Sequence, residues 1–338
     1  MSSRMIHLGL LAAFTSAGTG IAAAQSAADF YKGKNVTVLV GFSAGGGYDQ
    51  YARVLARHMG RHIPGNPDMI VQNQPGAGSL NAVRQLDATQ PKDGSVLGTF
   101  NPGLITESLT DPTKVKFNFN EVAWVGSVTR DFRVCYMWHT TGVKNWEEMV
   151  KDPEVILGGT GKGTGSYVNG AILRNLFGIK VKHVLGFPGS ADQRLAIERG
   201  ELEGDCGSWS SVPPEWIRDR KVNPIVTFSP VESPELPAGV PYVGKFATND
   251  VQTQTLEMLI ASGELGRPFI MSKAVPKDRL AVMRKAFDLT MVDKQFLDEA
   301  QKQMLPVNPI DGEEAAKIID KIYKMPPSIV AKAKEVLD

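Results

Sequence analysis

The sequence predicts an α/β protein of two lobes, each a sheet flanked by helices. Three observations predict it. The chain has 338 residues, more than a single hydrophobic core usually organises. One pattern occurs four times: an apolar, largely β-branched run, a glycine-containing turn and an amphipathic helix, in two pairs far apart in the chain. The 34 Gly and 21 Pro are the content of a fold with many tight connections.

The first unit is the run Val36–Val40, the turn Gly41–Gly47, and a helix over Asp49–Met59 with apolar residues at 51, 52, 55 and 59. The second is Met69–Gln72, Pro75–Gly78, and a helix from Ser79 whose Leu80, Val83 and Leu86 share a face. The third is Val155–Leu157, Gly158–Gly165, and a helix bearing Val168, Ala171, Ile172 and Leu176. The fourth is Val181–Leu185, Pro188-Gly189-Ser190, and a helix closed by Gly200. Beyond them, Leu265–Ser272 reads as a strand, and helices follow from Pro276, over Gln295–Met304, Gly312–Tyr323 and Ser328–Leu337. The expected division is 25–128 with 231–338 as lobe 1 and 129–230 as lobe 2, the tail returning to the first lobe.

Residues 1–24 read as an export signal: Arg4, an apolar stretch from Met5 to about Ala17, and small residues ending Ala22-Ala23-Ala24. The apolar run is too short and too interrupted for a membrane span. A periplasmic address is therefore expected, with cleavage near Ala24. In such an oxidising compartment Cys135 and Cys206 are permitted to pair, and two separate buried thiols fit the sequence equally well.

Lys+Arg 37 against Asp+Glu 36 argues against a protein that finds nucleic acid through a basic field. With two Cys and five scattered His, no metal site is expected. Gly161-Lys162-Gly163 lacks the hydroxyl residue of a phosphate-binding loop, no dinucleotide fingerprint is present, and no cofactor is expected. Gly41-Phe42-Ser43-Ala44-Gly45 matches a serine nucleophile elbow. It follows the first strand of the chain, however, and no His lies beyond His183 to serve as a late base.

What remains is a set of four glycine turns, each feeding a helix start. Unpaired amides there, with the positive end of the helix dipole, form an anion site, and glycine lets an oxyanion come close. A carboxylate is the natural guest. Asp49 and Ser190 at helix starts fit simple N-caps as well as ligand contacts. Trp209, among Gly207-Ser208-Trp209-Ser210-Ser211, fits either a core position or a cleft wall. Arg130 and Arg133 flank the expected lobe crossover and are surface charges unless one meets a ligand carboxylate.

The chain resembles the periplasmic substrate-binding receptors of tripartite tricarboxylate transporters, the Bug-type receptors. The resemblance is carried by Gly45-Gly46-Gly47-Tyr48-Asp49 with Arg53, Gln72-Asn73-Gln74-Pro75-Gly76-Ala77-Gly78, Pro91-Lys92-Asp93-Gly94, Gly161-Lys162-Gly163-Thr164 and Gly200-Glu201-Leu202-Glu203. It implies a Venus-flytrap, periplasmic-binding-protein architecture without enzymatic activity. Such a receptor captures a small organic carboxylate and delivers it to integral-membrane permease subunits; a monomer is expected. The ligand contacts implied are Ser43, Ala44, Gly45, Gly46, Gly47, Tyr48, Asp49, Gly76, Ala77 and Gly78 in the first lobe. In the second they are Gly163, Thr164, Gly165, Ser166, Gly189 and Ser190, with Asp205 and Trp209 added. The sequence departs from the family at Gly41–Ala44, Phe187-Pro188-Gly189 and Gly204-Asp205-Cys206-Gly207, and Cys135 and Cys206 both fall in the second lobe. Two other readings compete: a secreted serine hydrolase using Ser43, and a partner that presents its ligand to a sensor kinase.

Overall fold

The computed structural model describes residues 27–230, 236 and 238–338. The export segment expected at 1–24 lies outside them. No described helix is long and apolar enough to cross a membrane.

The first sheet holds β1 (Asn35–Val40), β2 (Asp68–Asn73), β3 (Val96–Thr99), β4 (Ala123–Ser127), β10 (Pro268–Met271) and β11 (Ile310–Asp311), in the order β11, β4, β10, β3, β1, β2. β1 pairs in parallel with β2 and β3, whereas β10 runs antiparallel between β3 and β4. Every residue of β3, β4 and β10 is buried, as expected of strands covered by helices on both faces. Val36, Val38 and Val40 join one core and Leu39 the other, the two-residue period of a strand dividing the lobe into two layers.

The second sheet holds β5 (Val134–Trp138), β6 (Val155–Gly159), β7 (Val181–Leu185), β8 (Gly204–Asp205) and β9 (Val222–Thr227), in the order β7, β6, β8, β5, β9. β6 is parallel to β7 and β8, and β5 antiparallel to β8 and β9. Cys135 and Met137 face one core, Val134 and Tyr136 the other. Pairing of Tyr136 with Asp205 sets the next residues opposite each other, and there Cys135 and Cys206 form a disulfide.

Part of the tail goes elsewhere than expected. β10 and β11 complete the first sheet, but the helices Asp250–Ala261 and Pro327–Leu337 do not return with them. Leu256, Met258, Leu259, Ala333 and Val336 are buried in the core that contains Cys135, Val168 and Ile172. The division at 230 is corrected accordingly. Among the described residues the chain passes between the lobes three times, at about 128–134, 262–267 and 323–327. A helical repeat shows that a segment has a buried face, but two apolar cores are equally good receivers for it.

Candidate functional site

The loops after β1, β6, β7 and β8 meet between the lobes, at the carboxyl ends of the parallel strands. They enclose a narrow chamber of about 50 Å³. Three helix starts reach it: Gly47–Met59, Gly165–Phe177 and Ser190–Glu198. None of the three receives a side-chain cap, so their first-turn amides are free of the usual hydroxyl or carboxylate acceptor. Glycine is needed where the chains come together. A Cβ on Gly165 would fall 1.3 Å from Arg133 Nη1, and one on Gly47 would fall 2.3 Å from Ser211 Oγ.

The first loop is held by a carboxylate. Asp49 is buried and accepts from the Gly45 amide at 2.8 Å, from Arg53 Nε at 2.9 Å and from Asn73 Nδ2 at 2.8 Å. Burial opposes ionisation of Asp49, but the bonds from Arg53, Gly45 and Asn73 outweigh it and keep the carboxyl below its ordinary range. Asn73 also donates to the Phe42 carbonyl at 2.9 Å. Asp49 thus shapes the turn, with its oxygens already engaged.

The lobes are bound to each other across the cleft. Ser43 Oγ donates to Asp192 Oδ2 at 2.7 Å, and the Ser43 amide to the Pro188 carbonyl at 3.2 Å. Arg194 donates to the Gly45 carbonyl at 3.1 Å and the Ser211 carbonyl at 3.0 Å. Arg267, wholly buried on the first lobe, donates to Ser208, Ser210 and Ser211 of the second, and its guanidinium lies 4.6 Å over the Tyr48 ring. Phe42 stacks on the Tyr48 ring at 4.5 Å.

Among the residues expected at the site, Gly46, Gly47, Tyr48, Thr164, Ser166, Ser190 and Asp205 line the chamber. Ser43 and Gly189 meet each other at the lobe contact, where a Cβ on Gly189 would lie 2.3 Å from Ser43 Oγ. Ala44 and Gly45 are exposed on the turn. Gly163 lies against Glu107, and Gly165 beneath Arg133. The turn Gly76-Ala77-Gly78, left-handed at all three residues, touches the second lobe at Gly161 and Thr164 and does not line the chamber. Three glycine turns converge there, then, and the fourth supports them. Trp209 is core: it packs edge-on to Tyr136 in the second lobe, with 4% of its surface exposed. Arg130 is spent on Glu264 and Glu314 at the surface, whereas Arg133 lines the chamber.

Three chamber residues carry buried polar atoms without a hydrogen-bond partner: Tyr48 Oη, Gln193 Nε2 and Asp205 Oδ1. Burial pushes the Tyr48 hydroxyl above its ordinary range and raises the Asp205 carboxyl to about 6, against the opposing pull of Ser166, the Cys206 amide, Arg133 and Arg194.

This architecture is that of several solved proteins. The structure of the periplasmic binding protein BugD superposes with a TM-score of 0.72 at 19% identity, covering 90% of this chain and 98% of that one. MatC from Rhodopseudomonas palustris with bound malate gives 0.71 at 17%, covering 90% and 99%. Rpa4515 from R. palustris with adipate gives 0.71 at 13%, covering 89% and 97%. The chain has the periplasmic-binding-protein fold. Its structural neighbours include Bug- and TctC-type members. In sequence, it is 36% identical over 89 residues to a UPF0065 protein in the gbd 5′ region of Cupriavidus necator, spanning about a quarter (26%) of that protein's length. No family model matches.

Seven residues of the chamber lining are among the ligand contacts named from the sequence: Gly46, Gly47, Tyr48, Thr164, Ser166, Ser190 and Asp205. Phe42, Asn101, Thr160, Gln193, Gly207, Ser208 and Ser211 also line it. Gln193 carried a signal, three residues into a helix that starts at a named glycine turn. Asn101 carried none: it follows β3, and only the parallel pairing of β3 with β1 brings it beside the first loop.

Proposed function

We propose that the protein is an extracytoplasmic solute receptor of the Bug type, which binds an organic carboxylate between its lobes and delivers it to tripartite tricarboxylate-type permease subunits in the membrane. The observation that carries this is the convergence of three uncapped helix starts and Arg133 on one enclosed chamber. Oriented amides and a guanidinium there favour a carboxylate without any basic surface, consistent with a formal net charge of +1. The malate and adipate in the R. palustris neighbours support the same ligand class. An export-type segment at 1–24 and the Cys135–Cys206 disulfide support a periplasmic address. The chemistry is capture without turnover. Ser43, the one elbow-like serine, is engaged by Asp192, and His58 and His62 pair with Glu299 and Asp293 at the far end of the helix.

Closure about the lobe crossings would then trap the ligand, and the Ser43–Asp192 and Arg194–Gly45 bonds hold the closed form. A thermal-shift screen against a panel of organic carboxylates tests the reading. A ligand at about 100 times its Kd adds about 2.7 kcal/mol. Stabilisation by neutral or cationic solutes, with none by organic anions, would sink it.

A further inference from the structure

Asp205 is out of place in a chamber built for an anion. It stands at the end of β8, with 7% of its surface exposed, and Oδ1 has no hydrogen-bond partner. The carboxylate takes bonds from Ser166 and the Cys206 amide and feels the charges of Arg133 and Arg194, but neither arginine bonds to Oδ1. Arg133 is shared with Asp131 at 3.5 Å, and Arg194 is spent on the Gly45 and Ser211 carbonyls. The chamber lining therefore combines the donors of the helix starts and Arg133 with one acidic acceptor. An unanswered buried acceptor costs stability in the empty protein, and that cost is recovered when a ligand supplies the missing donor.

Resting on the receptor reading, we propose that Asp205 determines specificity by accepting a hydrogen bond from the ligand, so that the preferred carboxylates carry a hydroxyl or ammonium group. A bare dicarboxylate would set a second anion against Asp205. A hydroxy or amino acid of the same length would offer O–H or N–H to Oδ1 while keeping its carboxylate on the amides. Gln193 Nε2 and Tyr48 Oη, also unpartnered, are neutral and accommodate either kind. Asp205 alone distinguishes a donor from an acceptor by charge.

Calorimetric titration of the full mature chain with matched acids tests this: succinate against malate and aspartate, and glutarate against 2-hydroxyglutarate and glutamate. Wild type is expected to prefer a donor-bearing acid over its bare partner by about ten- to a hundredfold, the range of a hydrogen bond to a charged group. Asp205→Asn should bring the ratio to within about threefold, with the bare acid bound as well as before or better. If that variant does not fold, Asp205→Ser replaces it with the same expectation. The malate and aspartate arms tell hydroxyl from ammonium. Equal binding of bare and donor-bearing acids by wild type, or an unchanged preference in the variant, overturns the assignment and leaves the receptor reading standing. Failure of all six acids to bind while other carboxylates do also overturns it; failure of every carboxylate brings down the receptor reading as well.

Discussion

Asp131 and Arg267 face each other at 3.5 Å, their side chains withdrawn from solvent, on two segments that cross between the lobes. Asp131 lies equally close to Arg133, and Ser208 donates to it. One carboxylate thus answers two guanidiniums, one fixing the crossings and the other facing the chamber. Replacing Asp131 with Asn should leave two buried cations short of an anion and cost about 3–5 kcal/mol in denaturant unfolding. The double change Asp131→Asn with Arg267→Met should be less damaging than the two single costs added, which a double-mutant cycle would show.

Gly165→Ala addresses the same arginine from the ligand side. The new methyl would displace the Arg133 guanidinium, the flexible end of a side chain, so the fold survives. Affinity for the best carboxylate should fall about tenfold or more, the loss of one charged contact, with little change in melting temperature. Titration and a melt on the same sample check both halves.

Ser43→Ala removes the bond to Asp192 that spans the cleft. If the bond holds only the closed form, affinity should drop about threefold to tenfold through the population of that form. Ester cleavage should be absent before and after the change; a measurable rate in wild type that vanishes in the variant would restore the hydrolase reading.

Asp205 and His183 make opposite contributions to stability in acid. Burial lifts Asp205 to about 6, so its charged form weakens the fold above pH 6, and lowering the pH from 6 towards 4 relieves that cost. His183, buried against Tyr167 with both ring nitrogens unpartnered, is depressed to about 4 by burial and then Arg174. Its neutral form serves the fold above pH 6.5, and that stability is lost as the unfolded chain takes up a proton between 6.5 and 4. Each effect is about 3 kcal/mol by the usual conversion. In wild type the two effects oppose each other over this window. Asp205→Asn should be more stable at pH 8 and fall away in acid, and His183→Leu should gain stability as the pH drops from 6 to 4. Unfolding curves across pH distinguish them.

Reduction of the Cys135–Cys206 bond frees a long loop, 71 residues in sequence separation, and should cost the second lobe about 2–5 kcal/mol. Cys206 directly follows Asp205, so affinity should fall with stability when both are measured with and without reductant.

What the sequence shows and what it hides follow from the range of each interaction. Strand, turn and helix are local, so the units around Gly47, Gly165 and Ser190 were legible, and their glycines marked the chamber. Trp209 was not: a Trp among small polar residues fits a wall or a core, and only the packing against Tyr136 decides. The cysteine pairing rested on the register of β5 with β8, which spacing does not give. Asp205 is named from the sequence as a ligand contact but not as an acid with a free oxygen, because that depends on what surrounds a buried carboxylate in space. Asp49, three-fold hydrogen-bonded, shows the other outcome for the same residue type.

The three passages between lobes place the last helix, Pro327–Leu337, in the second core and not the first. A chain synthesised from its N-terminus can therefore finish every strand of both sheets while Ala333 and Val336 are still missing from the layer that holds the disulfide. The helix Pro327–Leu337 acts as a keystone. Until it arrives, the core that holds Val168 and Ile172 lacks part of its cover, and a nascent chain at that stage offers apolar surface to any chaperone that meets it.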